Sequence, residues 1–260
     1  MIIFFRENID LQSIYDYNIS KQISEGDFMS IYEREVKYIN FLSEREHTIK
    51  ELANKLFLSE PTVRRDILIL ERKDIVTRKR GIVKLKINIA DKRIPLFIRE
   101  MEQRREKKEI ALKAIRHIKD GDIIMLDAST SAYCILPHLA NYRNLFVITN
   151  GAKTAIELAT MGIRTICTGG ELTQESFSYV GTDAENILKN YNADVAFFSC
   201  RGITEEGIVT DNSILENSMR KIMMRNSKKS FLLCDKSKFG KTYLNTLCSV
   251  EELDGIITDK

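Results

Sequence analysis

The spacing of apolar residues changes character along this 260-residue chain. Val36, Ile39 and Phe41 with Leu42 recur at helical spacing. Thr48, followed three residues later by Glu51, forms a capping-box pattern. It predicts a short helix over Ile49–Leu56 that buries Leu52 and Leu56. Phe57-Leu58-Ser59 is then a tight connection. Ser59 caps a second helix, and Pro61 is tolerated in its first turn, where no backbone hydrogen bond is lost. At about 100° per residue, Val63, Ile67 and Leu70 share one stripe and face a core. Two short strands are expected next, over residues 75–78 and 82–86, around a turn at Lys79-Arg80-Gly81. From Gly121 the pattern becomes short apolar runs rich in β-branched residues, separated by helical stretches. The runs are DIIMLDAST, LFVITNG, RTICTGG, DVAFFSCRG, SFLLCDKS and DGIITD. Strand and helix in alternation predict a mostly parallel sheet with helices on its faces, and continuous apolar runs are what doubly covered strands look like.

The polar positions say what each part presents. On the second helix, Arg65 projects almost opposite the buried stripe, beside Pro61, Leu68 and Ile69. Arg64 lies on the flank and Thr62 on the other side of the exposed face. Arginine offers a planar fork that matches guanine O6/N7 or a phosphate. Two connected helices with arginine outward on the second have the helix-turn-helix layout. The following basic hairpin, tipped by Arg78, Lys79 and Arg80, is placed like a wing to meet phosphates. Charge supports this division. Residues 29–119 carry a balance of +10, residues 120–260 one of −4 and residues 1–28 one of −3. A basic module attached to a mildly acidic remainder fits a nucleic-acid-binding domain joined to something else.

In the remainder, the strands run into polar or glycine residues: Asp127-Ala128-Ser129-Thr130-Ser131, Thr149-Asn150-Gly151, Thr168-Gly169-Gly170, Cys200-Arg201-Gly202 and Asp235-Lys236. In an open parallel sheet these ends share one edge, where ligands bind. Hydroxyls before a helix start suit a phosphate. Arg201 and Lys236 would add positive charge, and a small anionic ligand is expected there. Segment 91–119 reads as a charged linker, broken early by Pro95, followed by the first helix of the next domain (Ile110, Leu112, Ile115, Ile118). The Arg104–Lys108 cluster is expected to be a solvated linker face, with contact to DNA as the alternative.

Other features narrow the class. The five cysteines are widely spaced, odd in number and without a Cys-x-x-Cys pair, so neither structural disulfides nor zinc are expected. His47, His117 and His138 are isolated, which gives no metal cluster, and lone polar residues of this kind usually face solvent. No apolar run reaches the roughly 20 residues of a membrane span. The opening MIIFF is too short for a signal-peptide core. A cytoplasmic protein is expected. Residues 1–28 form an acidic extension without a core pattern and are expected to be peripheral.

The run Ser59, Glu60, Thr62, Val63, Arg64, Arg65, Asp66 resembles the motif of the DeoR family of bacterial transcription regulators. The resemblance implies a winged helix-turn-helix over residues 29–88, with Thr48, Ser59, Thr62, Arg64, Arg65, Arg78, Lys79 and Arg80 on the DNA. The family's second wing glycine is replaced here by Ile82. After a linker over 89–107, residues 108–260 resemble the family's effector domain. That implies a Rossmann-like α/β fold similar to ribose-5-phosphate isomerase and a phosphorylated sugar as effector. The family's Asp-x-Gly-Thr-Thr loop is matched by Asp127, Ser129 in place of glycine, Thr130 and Ser131. Its Thr-Asn loop is Thr149-Asn150, and its Gly-Gly loop is Gly169-Gly170. One strand end carries Arg201 and Gly202, with Ser199 for a glycine. The Asp-x-x-Lys end is Asp235-Lys236-Ser237-Lys238, so either Lys236 or Lys238 is the ligand. The implied partners are double-stranded operator DNA, a sugar phosphate and further copies of the chain as a dimer or tetramer, with no cofactor. A sugar-phosphate isomerase is the alternative, with Asp127, Asp211 or Asp235 as base. A basic winged helix has no purpose in a plain isomerase.

Overall fold

The computed structural model describes residues 31–72, 75–86 and 96–259. The chain divides into two units, Met1–Ile87 and Asn88–Lys260. The predicted peripheral extension, residues 1–28, lies outside the described residues.

The first unit runs α1 (Ile31–Glu44), β1 (His47–Thr48), α2 (Ile49–Leu56), α3 (Glu60–Arg72), β2 (Val76–Lys79) and β3 (Ile82–Leu85). The capping box forms as expected. The Glu51 amide donates to Thr48 Oγ1 at 3.1 Å, and the Thr48 amide donates to Glu51 Oε2 at 2.7 Å. α2 stops because Phe57 turns left-handed at φ 54°, which leaves its ring exposed. Leu52, Leu56, Val63, Ile67 and Leu70 pack with Tyr38, Ile39 and Leu42 of α1. At the hairpin Lys79 pairs with Ile82, so the turn is only Arg80 and Gly81. Both have positive φ, 51° and 82°, the two-residue turn whose twist matches that of its strands. The strands differ by a residue from the expected 75–78 and 82–86, because Ile75 and Lys86 close the ladder with a backbone hydrogen bond just outside it. β1 was not foreseen. It pairs antiparallel with β3, and two residues are too few to show an alternation.

Among its described residues, the second unit begins with α4 (Leu96–Met101) and α5 (Arg104–Ala114). This corrects the linker reading of 89–107 over its described part, which is largely helical. A central sheet then takes up all six apolar runs: β4 (Ile123–Leu126), β5 (Phe146–Thr149), β6 (Arg164–Cys167), β9 (Val195–Ser199), β12 (Ser230–Leu233) and β14 (Gly255–Ile257). Every pairing in it is parallel. Alternate residues feed two cores. Ile124, Leu126, Val147 and Phe197 meet α5, α6 (Thr130–Tyr133), α7 (Leu136–Leu139) and α8 (Ala152–Thr160) on one face. Met125, Ile148, Ala196, Phe198 and Leu232 meet α9 (Gly181–Lys189) and α10 (Ile214–Arg225) on the other. Two small antiparallel additions escaped the sequence reading. One is the hairpin β7 (Glu171–Leu172) with β8 (Tyr179–Val180); the other is a sheet of β10 (Gly202–Ile203), β11 (Ile208–Asp211) and β13 (Asn245–Ser249).

The strand order is β14-β12-β9-β4-β5-β6. The chain starts in the middle at β4, winds outward through β5 to β6, then returns to β9 beside β4 and winds the other way. The carboxyl ends of β4 and β9 therefore diverge into opposite-facing connections and leave a crevice between them.

Candidate functional site

On the first unit, the exposed side of α3 presents Arg64, Arg65 and Leu68. A cleft of about 380 Å³ is lined by Thr48, Ile49, Lys50, Arg64, Arg78, Arg80 and Gly81. It brings together four residues expected at DNA from three different elements. Lys50 was not singled out. Arg64 donates to Glu60 Oε2 at 3.1 Å, and Arg78 lies 3.7 Å from Glu71. Arg65 and Arg80 have no acidic partner among the described residues. Lys79 is exposed at the end of β2. Ser59 and Thr62 act locally: the Thr62 amide donates to Ser59 Oγ at 3.3 Å, and the two hydroxyls lie 2.8 Å apart.

Asp66, part of the recognised motif, is buried rather than displayed. It accepts hydrogen bonds from Arg34 Nε at 2.7 Å, Arg34 Nη2 at 3.1 Å and the Tyr38 hydroxyl at 3.0 Å. Burial first, and then the Asp66 charge, raise the Tyr38 phenol. This cluster ties α3 to α1 and so fixes which face of α3 looks outward. Its signal was present in the sequence, since position 66 lies on the stripe of Val63, Ile67 and Leu70. His47 is also buried, against the expected exposure. Desolvation first, and then Arg45, lower its pKa.

On the second unit, a cavity of about 370 Å³ opens at the crevice between β4 and β9. Ser129, Thr130, Ser131 and Arg201, four of the residues singled out at the strand ends, line it. Ser199, Asp211, Asp235 and Lys238 come from neighbouring strand ends. Arg99, Glu102, Gln103 and Lys107 come from the segment read as linker. Six lining side chains are cationic (Arg99, Lys107, Arg201, Arg220, Lys238, Lys241) and four are acidic.

The groups are held firmly. Ser129 Oγ caps α6 by accepting from the Ala132 amide at 3.2 Å, whereas Ser131 Oγ is buried without a partner. Lys238 Nζ donates to Ser199 Oγ at 2.7 Å and lies 3.8 Å from Asp235. Lys107 is buried, not solvated; its ammonium donates to the carbonyl oxygens of Arg99 and, at 2.7 Å, of Glu102. Burial and then the Lys238 charge push that ammonium down to about 8. Its segment looked solvated because one buried lysine among charged neighbours leaves no periodic trace.

Arg220 on α10 organises the inner wall. Nε donates to Asp127 Oδ2 at 3.0 Å, Nη1 to Asp211 Oδ2 at 2.9 Å and Asn217 Oδ1 at 3.1 Å, and Nη2 to Glu216 Oε2 at 3.2 Å. Burial works against the Glu216 charge, but Arg220 and the Ser176 and Ser178 hydroxyls outweigh it and hold its carboxyl below the ordinary value.

Several expected contacts stand elsewhere. Asp127 does not line the cavity; its carboxylate serves Arg220 and the amides of Ser129 and Ser199. Thr149 accepts from the Gly151 amide, and Asn150 Nδ2 donates to the Tyr179 carbonyl at 3.1 Å, so both shape loops behind the site. A Cβ at Gly170 would meet the Val180 carbonyl at 2.8 Å, and one at Gly202 would run into the Lys241 carbonyl, so these glycines admit neighbouring backbone. Gly169 does not line the cavity either. Of the two alternatives at the last strand end, Lys238 lines the cavity and Lys236 is exposed away from it. Among the described residues no cluster has the makings of a metal site, and no helix is long and apolar enough to cross a membrane.

Residues 36–86 match the DeoR-like helix-turn-helix domain, and residues 102–260 match the DeoR C-terminal sensor domain. The chain is 33% identical over 233 residues to the HTH-type transcriptional regulator YulB of Bacillus subtilis, covering 89% of this chain and 90% of that one. It is 29% identical over 212 residues to the lactose phosphotransferase system repressor of Staphylococcus epidermidis, covering 80% and 84%. Both relatives are named for the control of transcription and neither as an enzyme. Among solved structures, ribose-5-phosphate isomerase A of Methanocaldococcus jannaschii aligns at 19% identity with a TM-score of 0.41, covering 53% of this chain and 55% of that one.

Proposed function

The chain belongs to the DeoR family of transcription regulators, and on that footing we propose that it represses genes of sugar transport or metabolism and leaves its operator when a phosphorylated sugar binds. The observation that carries the effector reading is the cavity at the β4–β9 crevice, where six cationic side chains and the Ser129-Thr130-Ser131 loop converge. A phosphate there meets Thr130, Lys238 and Lys107, and the sugar hydroxyls meet the acidic wall. The name of the staphylococcal relative, a lactose phosphotransferase system repressor, supports the sugar assignment. On DNA, Arg65 reads a base edge while Arg80 and Lys79 hold phosphates. The protein acts in the cytoplasm as a symmetric homo-oligomer, a dimer or tetramer, in keeping with the paired half-sites that helix-turn-helix proteins bind. It is a regulator and not an isomerase. Asp127 and Asp211 are tied to Arg220, and Asp235 accepts from the Ser237 amide and hydroxyl, which leaves none of the three poised as a base.

Ligand binding releases DNA only if its affinity differs between the two states of the protein. Operator binding by fluorescence anisotropy, with and without a panel of sugar phosphates, tests the reading. Thr130→Val, Lys238→Ala and Arg201→Ala should bind operator like the wild type but lose the response to ligand. Lys236→Ala should respond normally. If the first three respond like the wild type, the effector does not bind at this edge. Loss of DNA binding without ligand would show that these residues maintain the fold or the oligomer.

A further inference from the structure

A second cavity, of about 520 Å³, adjoins the first. The two share Arg99, Arg201, Asp211 and Glu216 as a common wall. Beyond that wall the second cavity adds Thr173, Glu175, Asn212, Ser213, Leu215 and Leu244, among others. Its most telling group is Asn212, which directly follows β11. Both polar atoms of its side chain, Oδ1 and Nδ2, are buried, and neither has a hydrogen-bond partner. Arg99 Nε in the shared wall and Ser131 Oγ in the first cavity are buried and unpartnered as well. An unpaired buried polar group is costly, so such groups are few in folded proteins. Here the residues that carry three of them line one or both of the two adjoining cavities.

The chemistry of the addition differs from that of the first cavity. Beyond the shared wall it brings one carboxylate, Glu175, and no cation, which disfavours a second phosphate. Asp211 and Glu216 in the wall are already neutralised by Arg220. A primary amide offers two N–H donors and an acceptor oxygen, the set that matches hydroxyl groups, each of which donates and accepts. Leu215 and Leu244 stay largely exposed at its edge and suit the C–H face of a carbon chain.

We infer that this second cavity holds the uncharged, polyhydroxylated end of the effector, and that Asn212 selects it by hydrogen bonds to its hydroxyls. The inference rests on the sugar-phosphate reading of the first cavity. It divides the labour: the first cavity supplies affinity for the anion, and the second distinguishes one sugar phosphate from another. Arg99 is present in both walls; its Nη2 donates to the Glu175 carbonyl at 3.0 Å and its Nε is buried without a partner, so a ligand that spans the two cavities lies along its guanidinium.

Titration calorimetry on the full chain tests this, with inorganic phosphate, glycerol 3-phosphate and a set of pentose and hexose monophosphates as probes. The variants are Asn212→Leu, Asn212→Ala and, for the anion end, Thr130→Val. The wild type should bind at least one pentose or hexose phosphate well above inorganic phosphate. Asn212→Leu and Asn212→Ala should each lower that advantage about tenfold or more, while inorganic phosphate affinity changes less than about twofold. Thr130→Val should weaken every probe alike. An advantage retained in both Asn212 variants overturns the inference, and so does a parallel loss of inorganic phosphate. Wild type that binds inorganic phosphate but prefers no sugar phosphate also overturns it and leaves the anion site standing. Wild type that binds none of the probes overturns the sugar-phosphate reading itself.

Discussion

Arg65 and Arg220 carry the same side chain to opposite ends. Arg65 sits on the exposed face of α3 with its fork directed at nothing in the described chain. Arg220 sits inside the second unit, and its fork is filled by Asp127, Asp211, Glu216 and Asn217. A guanidinium cannot be discharged near neutral pH, so burying it requires carboxylates, while exposing it leaves a binding group ready for an outside anion. The difference separates two uses of one side chain: a fork left open to an outside anion, and a fork closed on the protein's own carboxylates to hold a wall in place. On the function proposed above, Arg65 and Arg80 meet DNA and Arg201 meets the ligand, while Arg220 belongs to the frame of the cavity.

The largest effect should come from breaking the buried member. Arg220→Met leaves three carboxylates without their counter-charge, and removing one partner of a buried ion pair costs on the order of 3–5 kcal/mol. Urea denaturation should show the second unit losing that much stability. A loss below about 1 kcal/mol would mean that solvent reaches the cluster. Arg65→Ala should leave stability unchanged but cost about 1–3 kcal/mol in operator binding and relax the sequence preference. Arg80→Ala should weaken all sequences alike and flatten the salt dependence. Equal, sequence-independent losses from both would place Arg65 on the DNA backbone and not on a base.

The smallest effect is one of pH. The Lys107 ammonium, at about 8 in the folded chain against an ordinary 10.5, is more easily discharged than in the unfolded chain. Between those values the unfolded state binds more protons, so this group's contribution to stability rises with pH across that window. Anion binding runs the other way, because raising pH through about 8 removes a cation from the cavity. Phosphate affinity should fall by about three- to tenfold between pH 7 and pH 9, beyond any change in Lys107→Met. Glu102 and Asp235 favour the charge and Lys238 opposes it, and a bound phosphate would draw it upward. A profile unchanged by the substitution would show that Lys107 does not meet the ligand.

What was legible in the sequence follows the range of the interactions. The winged helix could be read because its determinants are local: a capping box four residues long, a stripe within one helix and a two-residue turn. The six strands could be read because each is a continuous apolar run. The candidate ligand site was half legible. Strand ends that face the crevice, such as Thr130 and Arg201, carry turn and charge signals in their own loops. Arg220 carries none, since its meaning depends on Asp127, which lies 93 residues away. Arg99 and Lys107 were hidden in a charged segment whose helices pack onto the site only in three dimensions. Asp127 and Asn150 were placed correctly at the sheet edge but not as to which neighbour claims them, which no pattern along the chain records.

The wing turn sets thermal robustness against grip on DNA. Arg80 holds a left-handed backbone angle that an L side chain adopts at a cost of about 1 kcal/mol, and glycine adopts freely. Arg80→Gly should therefore give a module that melts at a higher temperature and, on the DNA contact proposed above, lets go of its operator more readily.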